Sequence, residues 1–174
     1  IGGFYNPRAL ESAMKTIRSE SNPTIINTAM RSLSGYGNSG IDSILLQYLR
    51  EPSYRNTHAE SAIAAMEKQD NPVFIMPILE TLMERKGLFS TRGMVNALSS
   101  LAYLGRHQDD KSMLLSFIAG RLQDPKSAVR SGAIRALATL RDPKAIAILE
   151  KWMSADSDSP EYKAAQTAID NLRK

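Results

Sequence analysis

An alanine recurs at one fixed place in five stretches of this 174-residue chain, and each stretch has the spacing of an amphipathic helix. The five alanines are Ala29, Ala62, Ala97, Ala133 and Ala165. Four residues after each comes a large aliphatic side chain: Leu33, Met66, Leu101, Leu137 and Ile169. Because a small side chain lets two helices approach closely while the larger one fills the gap beside it, this recurrence predicts one helical unit repeated five times.

A second amphipathic segment precedes each of these stretches, and the breaks between helices are marked by proline. The preceding segments are residues 7–19, 41–50, 72–85, 111–122 and 143–153. Most breaks read Asn-Pro or Asp-Pro, which suits a helix start, since proline tolerates the first turn and the residue before it can cap. We therefore predict an all-α fold: ten antiparallel helices in five pairs, stacked as a right-handed α-solenoid. The predicted repeats are 6–37, 38–70, 71–107, 108–141 and 142–174.

The stretch QDPKSAVRSGAIRALATLRDPKAIAILEKW, residues 123–152, resembles a HEAT repeat of the Asp-Pro-rich bacterial type. The positions that carry the resemblance are Val129-Arg130, Ala133, Leu137 and Asp142-Pro143. Pro77 resembles the proline that kinks the first helix of such repeats. The second and third copies depart from the pattern, with His58-Ala59 and Gly93-Met94 in place of Val-Arg. The resemblance extends over residues 6–174 and implies a single HEAT-repeat domain, which we expect to be part of a longer polypeptide.

The stretch GYGNSG, residues 35–40, has the G-x-G-x-x-G spacing of a dinucleotide-binding loop. That motif requires a buried strand before it, so that the turn delivers a phosphate to the next helix. The residues before it here have helical spacing. We therefore interpret GYGNSG as the corner between the first and second repeats, with its glycines ending one helix and turning the chain into the next.

The sequence offers little for catalysis or metal binding. It has no cysteine and only two histidines, His58 and His107, which fall in different repeats. Neither H-E-x-x-H nor G-x-S-x-G occurs. His58 aligns with Val129, so we expect it to be a partly buried structural residue, whereas His107 should be exposed. We expect no enzyme activity, cofactor or metal in this chain alone, and no membrane insertion, because no apolar run is long enough.

Positive charge is concentrated in residues 71–141, which carry ten basic and five acidic side chains. Arg92, Arg130 and Arg135 lie on predicted second helices, which line the concave surface of HEAT solenoids. They are candidates for a groove that binds phosphate backbones or an acidic protein segment. The alternative is that they pair with carboxylates of adjacent repeats, and Arg130 is where we most expect this structural role. No aromatic stacking platform accompanies them, and Trp152 should face the core.

Residues 48–106 resemble, more diffusely, the C-terminal HEAT region of bacterial gluzincin zinc aminopeptidases of the membrane alanyl aminopeptidase family. This resemblance implies a non-catalytic accessory domain that helps cover the active-site cleft. Its partner would be the catalytic domain of the same polypeptide, and any zinc would belong to that parent protein. The alternatives are a protein-interaction scaffold and a nucleic-acid-binding domain resembling the HEAT-like alkylpurine DNA glycosylases. The net charge of only +4 argues against nucleic acid. A bilin lyase of HEAT type has less support still.

Overall fold

The computed structural model describes residues 6–36, 39–85, 87–155 and 160–173, and this part of the chain contains ten α-helices. They are α1 (Pro7–Ser19), α2 (Pro23–Ser32), α3 (Ser39–Arg50), α4 (Thr57–Gln69), α5 (Ile75–Glu84), α6 (Thr91–Gly105), α7 (Ser112–Ala119), α8 (Ser127–Leu140), α9 (Lys144–Ala155) and α10 (Tyr162–Leu172). Short 3₁₀ turns occupy Leu33–Gly35, Tyr54–Asn56, Pro72–Phe74 and Gly120–Gln123. The predicted all-α class and the predicted number of helices are confirmed.

The breaks predicted from the Asn-Pro and Asp-Pro pairs are hydrogen-bonded turns. At five of them the side-chain Oδ1 accepts the backbone N–H two residues later, at 2.9–3.1 Å. The accepting residues are Asn6, Asn22, Asn71, Asp124 and Asp142. In α1, α2 and α9 these bonds satisfy backbone donors that the first turn of a helix leaves without partners, whereas the bonds to Val73 and Lys126 fix the turns that precede α5 and α8. The Ser-Pro pair at Ser159-Pro160 marks a further break in the sequence, but Ser159 lies outside the described part of the chain.

Two predicted first helices are divided in the structure. The segment 72–85 begins as a 3₁₀ turn at Pro72–Phe74 before α5 starts. Pro77, the third residue of α5, has no N–H to complete an α-type bond to the turn before it, which favours the change of helix type there. The segment 111–122 is α-helical only to Ala119 and ends in the 3₁₀ turn Gly120–Gln123. Gly120 is the weakest helix former in that segment.

The first compact unit of the chain ends at Gly93. In it, α1 packs on α2 and α3 packs on α4, so consecutive helices form hairpins. The hairpins stack because α2 also packs on α4, and α3 packs on α5. First helices thus contact first helices, and second helices contact second helices. This two-layer arrangement is that of an α-solenoid.

The second compact unit begins at Met94, within α6. It repeats the same pattern, with hairpins α7–α8 and α9–α10, first-helix contacts between α7 and α9, and second-helix contacts between α8 and α10. Trp152 is buried in it, as expected, and its indole Nε1 donates to the carbonyl oxygen of Leu122 at 3.1 Å. The indole therefore ties α9 to the 3₁₀ turn that follows α7.

The predicted columns of the second helices are buried. All five column alanines and all five aliphatic residues that follow them are at most 8% exposed. Three residues further on, Leu104 and Leu140 are also buried, but the same place holds Tyr36 and Gln69 in the first two repeats. These polar residues are half-buried, and Gln69 Nε2 donates to the carbonyl oxygen of Tyr36 at 3.1 Å. A hydrogen bond there replaces the apolar contact of the later repeats.

The GYGNSG corner is preceded by helix. The chain runs from α2 through the 3₁₀ turn Leu33–Gly35, and α3 begins at Ser39. Gly35 thus ends a helical segment as predicted, whereas Gly40 lies inside α3; Gly37 and Asn38 lie outside the described residues. Because helix occupies the place where a dinucleotide-binding loop needs a buried strand, the spacing of these glycines does not indicate a phosphate site.

Candidate functional site

The three arginines predicted to line a binding groove are divided between the two compact units. Arg92 is exposed at the start of α6 and belongs to the first unit. Arg130 and Arg135 both lie on α8 in the second unit, but five residues separate them, which places them about 140° apart around the helix axis. Arg135 is exposed. The two arginines of α8 therefore point to different sides of their helix.

Arg130 is held by three partners within the second unit. Its guanidinium NH2 lies 3.0 Å from Glu161 Oε1, and its NH1 donates to the carbonyl oxygens of Asp124 at 3.1 Å and Pro125 at 3.3 Å. The Glu161 side chain is only 2% exposed. Arg130 thus joins α8 to the start of α10 and to the loop before α8. These contacts give it the structural arrangement that the sequence suggested as the alternative to binding.

A groove of about 710 Å³ lies in the second unit, where the carboxyl-terminal ends of α6, α8 and α10 meet. Its described lining consists of Tyr103, Arg106, Ala138, Thr139, Arg141, Pro143, Asn171 and Leu172. Three successive second helices therefore contribute to one concavity. A pocket of this kind buries side chains of a ligand while its polar groups set the orientation.

Arg106 has a fixed orientation in the wall of this groove. Its guanidinium carbon lies 3.6 Å from the centre of the Tyr103 ring, and its NH1 donates to the Tyr103 carbonyl oxygen at 2.5 Å. Stacking of a planar guanidinium on an aromatic face is favourable, and here the hydrogen bond to the backbone restricts the same group further. The arginine is thus positioned before any ligand arrives.

Lys111 compensates the negative ends of two helices beside the groove. Its Nζ donates to the carbonyl oxygens of Arg106 at 2.7 Å, Leu140 at 2.9 Å and Arg141 at 3.2 Å. The last carbonyls of a helix lack partners within the helix and carry partial negative charge. One ammonium therefore satisfies the ends of α6 and α8 together.

The residue before this lysine organises the start of α7. The Asp110 carboxylate accepts both the hydroxyl and the backbone N–H of Ser112, and these two bonds hold the pKa of Asp110 below its usual value. Lys111 thus lies between the Asp110–Ser112 hydrogen bonds at the start of α7 and the two helix ends that its ammonium contacts. The turn formed by Asp110 and Ser112 holds the Lys111 backbone, and the Lys111 side chain extends to the carbonyl oxygens that end α6 and α8.

The charged lining is basic. Arg106 and Arg141 carry positive charge, and no carboxylate belongs to the described lining. Asp142 adjoins Arg141 in sequence but is buried, and its Oδ1 accepts the backbone N–H of Lys144 at 2.9 Å. Because the described lining contains two guanidinium groups and no carboxylate, the groove suits an anionic group.

The sequence analysis did not identify Arg106 and Arg141 as candidate binding residues, although their positions in the repeats could have indicated them. Both follow the third apolar column of a second helix, Arg106 two residues after Leu104 and Arg141 directly after Leu140. A cation just beyond a helix end interacts with the terminal carbonyls or lies near them. Alignment of helix ends, rather than of helix centres, would have placed these two arginines together.

His58 and His107 have the burial and the exposure, respectively, that the sequence predicted. His58 is buried in the first unit, with its ring edge-on to Tyr48 at 5.4 Å between centroids, and His107 is exposed in the loop after α6. Within the described residues, no three His, Cys, Asp or Glu side chains are grouped as metal ligands would be. Among the described helices, none is both long and apolar enough to cross a membrane.

Residues 93–170 match the family model of HEAT repeats. The match covers less than half of the chain, and it supports a HEAT-repeat helical domain in that segment. The match contains the positions on which the resemblance rested, from Val129-Arg130 to Asp142-Pro143. A search of curated proteins found no match to this chain.

The HEAT-repeat match also contains most of the groove. Six of its eight described lining residues, from Tyr103 to Pro143, lie inside the matched segment, and Asn171 and Leu172 follow it directly. HEAT repeats are helical scaffolds for protein interaction. The groove is thus a feature of the repeat stack itself, formed where its second helices end.

Proposed function

We propose that this chain is a non-catalytic HEAT-repeat scaffold that binds a segment of a partner protein in the groove at the ends of α6, α8 and α10. The observation that carries the proposal is the convergence of three successive second helices on one concavity with a preoriented arginine in its wall. Repeat proteins bind partners on surfaces built from equivalent positions of neighbouring repeats. This groove has that construction.

The non-catalytic part of the proposal is supported by the use of the polar side chains. Arg130, Glu161, Lys111 and Asp142 are engaged in ion pairs or helix-end hydrogen bonds that explain their positions. We expect the isolated chain to hydrolyse no aminoacyl anilide, with or without added zinc. Stoichiometric zinc that survives chelation and dialysis, and that is lost in His58→Ala, would contradict this.

A finer proposal is that the scaffold is the C-terminal accessory domain of a zinc aminopeptidase and helps to cover the active-site cleft of the parent enzyme. It is supported by the resemblance of residues 48–106 alone. The partner would then be the catalytic domain, and the zinc would be bound there. The coding sequence upstream of Ile1 tests this directly. An H-E-x-x-H motif with a downstream glutamate would support it, and an unrelated upstream domain would contradict it.

The scaffold function can be tested with a random peptide library displayed on phage and selected against the immobilised chain. Thr139→Trp fills the groove while it leaves both arginines in place. Thr167→Trp is the matched control, because Thr167 is exposed on α10, lies outside the groove, and its hydroxyl likewise donates to a carbonyl four residues earlier. We expect Thr139→Trp, but not Thr167→Trp, to abolish binding of the selected peptides, whatever their composition. Failure to select any peptide would overturn the proposal.

A further inference from the structure

We infer that the occupant of this groove is an acidic peptide segment, whose Asp or Glu carboxylates bind Arg106 and Arg141. The inference rests on the proposed scaffold function and names the chemistry of the partner. Both arginines belong to the lining, no carboxylate does so among the described residues, and the groove is large enough for several side chains. Complementary charge is the feature that selects such a partner.

The charge of the groove depends on how Lys111 is used. Its ammonium is turned away from a ligand and onto the carbonyls that end α6 and α8. Without it, those carbonyl oxygens would present partial negative charge near the two arginines. Because Lys111 compensates them, the guanidinium groups of Arg106 and Arg141 are the charged groups of the described lining that a ligand meets.

Arg106 is built for a carboxylate rather than for a diffuse anion. The Tyr103 ring beneath it and the bond to the Tyr103 carbonyl oxygen fix the plane of the guanidinium. A guanidinium whose plane is fixed loses less conformational entropy on binding a carboxylate than a freely rotating side chain does. Arg141, which is exposed at the end of α8, supplies a second contact.

The uncharged lining suits a peptide. Ala138, Pro143 and Leu172 form apolar surface. The Thr139 hydroxyl donates to the carbonyl oxygen of Arg135 at 3.0 Å, which leaves its oxygen lone pairs for a peptide N–H. An extended peptide with spaced carboxylates can place its carboxylates on the arginines, its backbone on Thr139 and its apolar atoms on the apolar surface.

Nucleic acid fits the groove less well than an acidic peptide. Single strands bind through exposed aromatic faces on which bases stack. The one aromatic residue of the described lining is Tyr103, and the guanidinium of Arg106 covers a face of its ring at 3.6 Å. The chain as a whole carries a formal net charge of only +4. The positive charge would attract any polyanion, but the one aromatic ring of the described lining has a face already covered by Arg106 and offers little surface on which a nucleotide base could stack.

The test measures fluorescence anisotropy of labelled peptides of about ten residues, the scale of a segment that lies across one groove. One peptide alternates Glu with Ser, the second alternates Lys with Ser, and both are amidated so that no terminal carboxylate is present. A single-stranded DNA of similar length is the third probe. We expect the acidic peptide alone to bind well, and its affinity to fall as salt is raised.

The variants separate a specific site from general attraction. Arg106→Gln with Arg141→Gln should lower affinity for the acidic peptide about tenfold or more, which corresponds to the loss of charge-assisted bonds. Arg92→Gln with Arg135→Gln removes the same net charge from exposed residues outside the described lining and should change affinity less than about twofold. If the first pair fails to fold, Arg141→Gln and Arg135→Gln are compared singly.

Each other outcome overturns the inference in a distinct way. Equal losses in both double variants would show attraction by net charge only. Tighter binding of DNA than of the acidic peptide, lost with the groove arginines, would assign the groove to nucleic acid. If the phage selection yields neutral or basic peptides that Thr139→Trp excludes, the scaffold function stands and the acidic partner is wrong.

Discussion

Arg130 on α8 and Glu161 at the start of α10 form an ion pair of 3.0 Å, and the carboxylate is almost completely buried. The two residues are 31 positions apart in sequence, close to one repeat length. The pair therefore connects equivalent ends of successive second helices. The same guanidinium also donates to the loop that precedes α8.

Arg130→Ala should destabilise the second unit by about 2–3 kcal/mol, because it leaves a carboxylate buried without its main counter-charge. We expect less than the full penalty of a buried pair, since 21% of the Arg130 side chain is exposed. Trp152 is the only tryptophan and lies in this unit, so urea unfolding followed by its fluorescence measures this unit specifically. Arg135→Ala, an exposed arginine on the same helix, should change stability by no more than about 0.5 kcal/mol.

Glu161→Gln introduced into the Arg130→Ala background should recover part of that loss, because it removes a buried negative charge that has lost its ion pair with Arg130. If the double variant is less stable than Arg130→Ala alone, the Glu161 carboxylate is stabilised mainly by other groups. The same urea titration, read at Trp152, decides between these results.

Ala133→Leu should destabilise the second unit by about 1–3 kcal/mol through overpacking. Ala133 is fully buried in the small-residue column of α8. Ala128 lies on the same helix but is exposed, so Ala128→Leu is the matched control and should be nearly neutral. Equal melting temperatures for Ala133→Leu and the unaltered chain would show that the column tolerates larger side chains.

The sequence predicted the helices better than it predicted their partners. The alanine column and the Asx-Pro breaks are local patterns, and they located the second helices and most helix starts because spacing and capping are properties of neighbouring residues. The pairing of Arg130 with Glu161, and the meeting of Arg106 with Arg141 at one groove, depend on which helix ends adjoin after packing. No local pattern contains that information, although alignment of the helix ends would have approached it.

Because of Tyr48, the free energy of unfolding of the chain should decrease at alkaline pH. Burial, and secondarily the negative charge of Glu51, raise the pKa of Tyr48 in the folded protein, where its hydroxyl donates to the carbonyl oxygen of Ile17 at 2.9 Å. A raised folded-state pKa contributes stability that is complete below the unfolded value, about 10, and is lost as pH rises through the folded value.

Urea titrations followed by circular dichroism, at pH values below and above this range, check the prediction. Tyr48→Phe should lose about 1 kcal/mol at neutral pH with its hydrogen bond, and should then decline less in alkali than the unaltered chain. Tyr54→Phe is the control, since Tyr54 is 79% exposed. If all three proteins decline in parallel, the Tyr48 hydroxyl does not contribute to the pH dependence.

His58→Phe should stabilise the first unit by about 1 kcal/mol, because it removes buried polar atoms that lack hydrogen bonds. Within the described part of the chain neither ring nitrogen of His58 has a partner, and the residue is 6% exposed. Phenylalanine keeps a planar ring against Tyr48. Slower hydrogen exchange of α3 and α4 amides, measured by mass spectrometry, would support this. Faster exchange would show that the His58 imidazole is hydrogen-bonded in solution. His107 is exposed, so His107→Phe is the control and should leave the exchange rates unchanged.

Lys111→Met should destabilise the second unit by about 1–3 kcal/mol, since three carbonyl oxygens lose a charged donor while the apolar stem is retained. Lys126→Met is the control, because Lys126 is exposed in the turn before α8. Lys111→Arg preserves the charge and should recover most of the stability.

The same variants also separate folding from binding. In conditions where Lys111→Met remains folded by Trp152 fluorescence, the uncompensated ends of α6 and α8 should still weaken binding of the acidic peptide. Unchanged affinity in that folded variant would mean that the two helix ends do not influence the potential of the groove.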